Sequence, residues 1–435
     1  MKTIVGTVVA ILAYAASAGA QTTCPPGFPS GTTCYAGQEE TGAYYLIAQP
    51  PDYNGQLILW NHGYTLSSPA PLGAGDLGPP FLLLFQGFAA AASSYRPDAL
   101  GLGGWAVADA AADTESVRQR FVKIFGPPSE TYVVGASEGG LVTAKVAEVY
   151  GTGSDGTLNY NGSMPMCGPL AGGRRNWYGG FDLRVVYQYY CQNLPLPEEP
   201  QYPLYLGLAP PPNPQLTQDE LVARINDCTG ILVSPEERTE TQAQNLANIL
   251  GVTKIPEGFL ITDMLFATFA LQELVLVRIG GLSPVTNLGV TYTGSSDDVA
   301  LNKGVYRAGS DPTAVDYINS AYDPTGNVPM PTITIQTKGD GLVIVENEAA
   351  YLETLQAAGT DGNLVQTYTN ANGHCEFTPS EFGGVFFSLV NWVQTGTPAT
   401  PEQVVASCQD LGGPCAFDTE FSPQPFETRI LPRDP

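Results

Sequence analysis

The sequence predicts an α/β protein: a mostly parallel sheet with helices on both faces, interrupted by a large and mainly helical insertion. Three observations carry this. Short β-branched or apolar runs alternate with segments of helical periodicity up to about Cys167. From about Gly168 to Pro331 the alternation stops. It resumes at residues 332–336. A chain of 435 residues exceeds one ordinary layered unit, and a core with one insertion accounts for the excess.

The elements follow in order. Residues 44–49 and 56–60 read as strands, the second ending in the turn Asn61-His62-Gly63. Residues 88–94 form a small apolar run. Residues 105–125 have helical periodicity and stop at Gly126-Pro127-Pro128. Residues 131–134 predict a short strand, 141–150 a helix and 163–167 the next strand. The insertion opens on aromatics (Trp177, Tyr178, Phe181, Tyr187, Tyr189, Tyr190) and continues through Pro210-Pro211-Pro212. Three helices are expected after that. Thr217-Gln218-Asp219-Glu220 and Ser234-Pro235-Glu236-Glu237 each have the pattern of a capping box. The third helix, 256–279, is apolar except at Asp263, Gln272, Glu273 and Arg278, which favours a buried helix over a membrane span. After 332–336 come a helix at 346–357, a strand at 364–368 and a final helix at 379–393. The tail reads as Pro-rich and irregular.

At the N-terminus Lys2 precedes an apolar run, and Ser17-Ala18-Gly19-Ala20 supplies small residues before Gln21. That is the order of a secretory signal peptide, shorter than the ~20 residues a bilayer span needs. Residues 1–20 are therefore expected to leave, with a secreted, extracellular protein starting at Gln21. All eight cysteines lie beyond residue 20, and an even number in an oxidising compartment favours disulfides. Cys24–Cys34 and Cys408–Cys415 are expected local staples. Cys167, Cys191, Cys228 and Cys375 are left to each other. Asn161-Gly162-Ser163 is a glycosylation sequon. The formal charge of −24 argues against nucleic acid and anionic membrane surfaces as partners. Oligomeric state is not encoded in any motif.

The chemistry concentrates in Gly135-Ala136-Ser137-Glu138-Gly139, which matches G-x-S-x-G and falls between a strand and a helix. A nucleophilic serine needs its hydroxyl proud of the sheet on a sharp turn, and small neighbours let strand and helix approach there. It also needs a base. The chain holds two histidines, His62 and His374. His374 lies between the last strand and the last long helix; Asp340, after the strand 332–336, is the acid expected to orient it, with Glu346 in reserve. Glu138 reads as a solvated residue favoured by the helix dipole, or as one that repels anionic substrates.

The order Ser137, Asp340, His374 resembles that of the α/β-hydrolase superfamily, over residues 44–393. Ser94-Tyr95-Arg96, Gly104-Trp105-Ala106 and Asp113-Thr114-Glu115 look like its secreted esterase-like members. The resemblance implies an α/β-hydrolase fold and a catalytic triad of Ser137, Asp340 and His374. It also implies an oxyanion hole from the N–H groups of Tyr64, after the His62-Gly63 pair, and Glu138, with His62 packing the loop. His374-Cys375 is similar to the His-Cys pair of tannases and feruloyl esterases, whose cysteine is bonded to one beside the serine. Here Ala136 occupies that position, so Cys375 pairs elsewhere, with Cys167 or with a cysteine of the insertion.

These readings define a core of residues 21–167 and 332–435 with a cap of 168–331. The expected activity is a serine esterase without cofactor or metal, acting on a small-molecule or polymer-derived ester. Trp177 and Tyr178 are candidate substrate contacts, or they simply pack the cap. An amidase or peptidase with the same triad, and a non-catalytic binding protein of the same fold, are the alternatives.

Overall fold

The computed structural model describes residues 21–213 and 215–433; the expected signal peptide lies outside them. Nine strands form one sheet: β1 (Gln21–Thr22), β2 (Thr33–Gln38), β3 (Tyr44–Gln49), β4 (Gln56–Asn61), β5 (Ala89–Ser93), β6 (Glu130–Ala136), β7 (Gly162–Met166), β8 (Thr332–Thr337) and β9 (Leu364–Thr369). Their order is β1-β2-β3-β5-β4-β6-β7-β8-β9. The first pairings are antiparallel, and β5, β4, β6, β7, β8 and β9 run parallel. With a strand interchange at β5-β4 and a helix after each inner parallel strand, this is the α/β-hydrolase fold.

Alternation along the strands explains the two layers. Leu57 and Leu59 of β4 join a core with helices α1 (Val107–Phe125) and α2 (Glu138–Tyr150). Ile58 and Trp60 of the same strand join Phe382, Phe386 and Leu389 on the other face. Three helices follow β7 on the first side: α3 (Gly173–Cys191), α4 (Gln218–Thr229) and α5 (Glu240–Thr253). The helical run α6 (Glu257–Arg278) packs on α3 and is largely buried. It is followed by α7 (Asp298–Gly304) and α8 (Pro312–Ala321). After β8 come α9 (Asn347–Ala358), α10 (Pro379–Thr395) and α11 (Pro401–Asp410).

The segment between β7 and β8 is thus helical, as expected, but α7 and α8 stand beyond the three helices expected there, and two further departures occur. The aromatic stretch is helix α3, although Gly173, Gly179 and Gly180 lower its propensity; burial of Trp177, Phe181 and Tyr187 overrides that. Ser234 opens only a 3-10 turn at Pro235–Glu237 and caps nothing. The box that starts α5 is Thr239 with Gln242, five residues later. The tail also holds helix α11, capped by Thr400 with Gln403, where an irregular segment was expected. The sequon is built into the sheet rather than a surface loop: Asn161 Oδ1 accepts the Thr131 N–H at 2.8 Å, and Ser163 is buried in β7.

Four disulfides form: Cys24–Cys34, Cys167–Cys375, Cys191–Cys228 and Cys408–Cys415. Cys191–Cys228 joins the end of α3 to the end of α4 and closes a loop of 37 residues in sequence. Replacing both cysteines by serine is expected to lower unfolding free energy by about 2–4 kcal/mol, because the unfolded chain regains loop entropy. A guanidinium titration of the folded protein reads this as a lower midpoint. An unchanged midpoint would show that helix packing alone fixes this corner.

Candidate active site

Ser137 sits between β6 and α2 with φ 60° and ψ −130°, a conformation L-residues rarely hold. The glycines around it make this turn possible. A Cβ on Gly135 would lie 2.3 Å from the Gly139 carbonyl oxygen. One on Gly139 would lie 2.1 Å from the Asn61 carbonyl oxygen. Strand and helix therefore approach only without side chains at these two positions. Asn61 ties the neighbourhood together: its amide donates to Thr143 Oγ1 (2.9 Å) and its oxygen accepts from Thr114 Oγ1 (2.6 Å).

Loops after β8 and β9 bring two further groups to the serine. His374 Nε2 is 2.8 Å from Ser137 Oγ, and His374 Nδ1 is 2.7 Å from Asp340 Oδ2. With the proton on Nδ1, assigned from this network, the ring donates to Asp340 and accepts from the serine hydroxyl. Asp340 is buried, and its other oxygen accepts the N–H groups of Leu342 and Val343, each at 3.0 Å. Glu346, the reserve acid, lies instead near Arg429, at 3.6 Å. The histidine loop is held by Thr337 Oγ1, which donates to the Gly373 carbonyl (2.7 Å), and by Cys167–Cys375, which joins it to the end of β7.

The His62-Gly63-Tyr64 loop lies against the nucleophile; a Cβ on Gly63 would be 3.1 Å from Ser137 Cβ. His62 stacks on Tyr95, with ring centres 3.9 Å apart, and its Nδ1 is 2.7 Å from the Gly63 carbonyl oxygen. Burial pushes its pKa down, so the ring is a neutral packing group with Nδ1–H donating to that carbonyl. This fixes the plane of the Gly63–Tyr64 peptide, and the Tyr64 N–H points the opposite way from the held carbonyl.

Glu138 departs from expectation. It is buried, not solvated, and its Oε1 accepts the Ala106 N–H at 2.7 Å. Burial raises its pKa from 4.5 to about 8, against the opposing pull of Arg278. The same segment is held from the insertion: Glu273 accepts the Trp105 N–H (3.0 Å) and pairs with Arg278 (2.6 Å), which also donates to the Gly103 carbonyl (3.0 Å).

Ser137 opens on a cavity of about 120 Å³. Its walls are mostly apolar. Tyr64 and Trp105 line one side, Trp177 and Leu183 of α3 another, and Phe266 of α6 and Leu342–Ile344 close it. Trp177, one of the two candidate substrate contacts, is in the cavity wall. Tyr178 is not: one residue further along the helix, its ring turns away and lies under the Arg433 guanidinium, 4.7 Å from its centre. Asp263, Arg429 and Ile430 are among the lining residues that the sequence reading did not place at the site. Asp263 left a trace there, as a charge inside an apolar helix. The two tail residues left none, since nothing local marks a tail that folds back.

No protein-family model matches the chain, and no curated protein matches it in sequence. Solved structures do match. The rice cell wall degrading esterase LipA from Xanthomonas oryzae is 14% identical over 78% of this chain and 83% of that one, with a TM-score of 0.36. Feruloyl esterase B from Aspergillus oryzae is 11% identical over 84% and 82%, with a TM-score of 0.42. The Pyrococcus furiosus esterase PF2001 is 13% identical over 84% and 92%, with a TM-score of 0.39. Likeness at this level carries no information on the reaction.

The buried Glu138 makes stability depend on pH. Unfolded, its carboxyl ionises near 4.5; folded, it keeps its proton to about 8. The folded state thus binds more protons between these values, and stability falls as pH rises from about 4.5 to 8. Glu348, raised to about 7 by burial, contributes to the same decline. Glu138→Gln keeps an acceptor for Ala106 and is expected to flatten part of this slope. Urea midpoints at pH 5 and pH 8 for both proteins measure it; identical slopes would place the Glu138 proton elsewhere.

Proposed function

We propose that the protein is a secreted serine hydrolase that cleaves carboxylic esters with an apolar or aromatic group. The observation that carries this is the relay Asp340–His374–Ser137, at 2.7 and 2.8 Å, at the mouth of an apolar cavity. Ser137 Oγ attacks the acyl carbonyl while His374 Nε2 takes its proton. Asp340 holds the ring in the right tautomer and stabilises the imidazolium. The N–H groups of Tyr64 and Glu138 receive the oxyanion, the latter at the N-terminus of α2. His374 then returns the proton to the leaving alcohol. A water, activated by the same ring, releases the acid and regenerates the serine.

In this reading residues 21–167 and 332–435 are the catalytic core and 168–331 the cap over the cavity. The four disulfides support an oxidising, extracellular setting. Ester hydrolysis is favoured over peptidase action because Glu138, the carboxyl nearest the nucleophile that could hold an amine, is engaged by Ala106 and kept protonated to about pH 8.

Ser137→Ala is expected to lower kcat/KM for aryl esters by about 10⁴-fold or more, and Asp340→Asn by about 10⁴-fold. A fluorophosphonate should label wild type at Ser137 and nowhere else. Turnover that survives Ser137→Ala would sink the mechanism. Peptide anilides cleaved faster than matched esters would move the assignment to an amidase.

A further inference from the structure

Asp263 stands apart from the buried acids Glu273 and Asp182 of the helical insertion. Glu273 is paired with Arg278, and Asp182 with Arg433 and the Tyr292 hydroxyl. The Asp263 carboxyl lines the cavity that Ser137 opens on, and among the described residues it makes no hydrogen bond or ion pair. Its Oδ2 is shielded from water and unpartnered. An unpartnered carboxyl in an apolar wall is costly, and packing alone gives no reason to keep it.

Its position is fixed by the fold. Asp263 lies one helical turn beyond Phe259, whose ring covers Gly341; a Cβ there would lie 2.5 Å from it. The carboxyl is thus held near the Asp340 loop, in the field of Asp340, with the Arg429 guanidinium acting on it from the tail. Ile255, Phe266 and Leu342 line the cavity around it.

We infer that Asp263 is a specificity-determining residue that hydrogen-bonds a hydroxyl group on an otherwise apolar, ring-bearing ester. This rests on the esterase reading above and names the substrate class for it. The chemistry of the three charged groups selects the ligand. An ammonium group would meet the Arg429 guanidinium, and a carboxylate would meet Asp340. A hydroxyl is neutral and both donates and accepts, so it can pair with the Asp263 oxygen that is not shielded, whether that oxygen carries the proton or not. Burial and the Asp340 charge raise the Asp263 pKa well above the ordinary range, which keeps that proton in place. Other unpartnered polar atoms belong to cavity-lining rings, namely the Tyr64 hydroxyl and the indole N–H groups of Trp105 and Trp177.

The test compares matched pairs of ring-bearing esters, each with and without one phenolic hydroxyl, on the acyl side in one series and the alcohol side in another. Wild type is expected to prefer the hydroxylated member in one series by roughly tenfold or more in kcat/KM, the effect of one hydrogen bond to an otherwise unpartnered group. Asp263→Leu should bring that ratio to near one, and Asp263→Asn, which stays neutral and polar, should largely retain it. Fluorophosphonate labelling shows that each variant's nucleophile is assembled; if Asp263→Leu does not label, Asp263→Ala carries the comparison. Wild-type turnover with no hydroxyl preference in either series overturns the inference and leaves the esterase reading standing. So does a ratio unchanged by both apolar substitutions. A preference for an ammonium-bearing ester that Asp263→Asn abolishes also overturns it, since the carboxyl would then act ionised. Absence of any ester turnover in wild type removes the esterase reading, and this inference with it.

Discussion

The rest of the site depends on one turn. Ser137 is held at a positive φ between a strand and a helix, and the strain persists only because its surroundings over-determine it. Three elements meet at that turn with almost no space between them. Gly139 touches the backbone of Asn61 and His62, Gly135 faces Gly139 and Thr143, and Gly140 faces Met166 and Gly168. The parallel pairing of β4, β6 and β7 sets these distances. Sheet register, helix approach and serine exposure are therefore one constraint. The loop after β4 inherits its place from the same contact, through Gly63 and Ser137.

A second layer of interactions carries this constraint into the helical insertion. The segment 103–106 lies between the nucleophile turn and α6. It is held from below by the Glu138 carboxyl and from above by Glu273 and Arg278. Because these groups are buried, each contact is worth more than it would be in water, and an unmatched group would cost more. Glu273 and Arg278 compensate one another as a close pair, whereas Glu138 stays neutral. The helical insertion and the Ser137 turn are thus tied through backbone N–H groups, which cannot swing aside as side chains can. Cys167–Cys375 does the same for the histidine loop by covalent means.

Much of this was legible in the residue order, for reasons that differ by element. Five of the six parallel strands and the helices α1, α2, α9 and α10 declared themselves because their pattern is local; β5, read only as a small apolar run, did not. The glycine spacing around Ser137 is dictated by sterics that act within five residues. Helix α3 was not legible as a helix: its glycines and aromatics point away from one, and only burial against α6 makes it favourable. Glu138 misled for the opposite reason. A glutamate at a helix start is ordinarily solvated and welcomed by the dipole, and nothing local reveals that Trp105–Ala106 will cover it. Tyr178 and Trp177 are adjacent in sequence, and only the helical turn of about 100° between them separates the cavity from the tail.

That tail shows how a site can draw on residues that no motif marks. After α11 the chain returns across the molecule and reaches the insertion. Arg429 donates to the Lys254 carbonyl (2.9 Å), Lys254 donates to the Thr428 carbonyl (2.7 Å), and Arg433 pairs with Asp182 of α3. Ile430 fits against Gly179, where a Cβ would lie 2.6 Å from its side chain. Each contact joins the core's last segment to the inserted helices, so the tail closes over the cavity a segment that the chain left more than a hundred residues earlier. It does so with two cations in a protein of formal charge −24, and both point at acids or carbonyls of buried elements. The cavity wall that results is mostly apolar, although the molecule around it is strongly anionic.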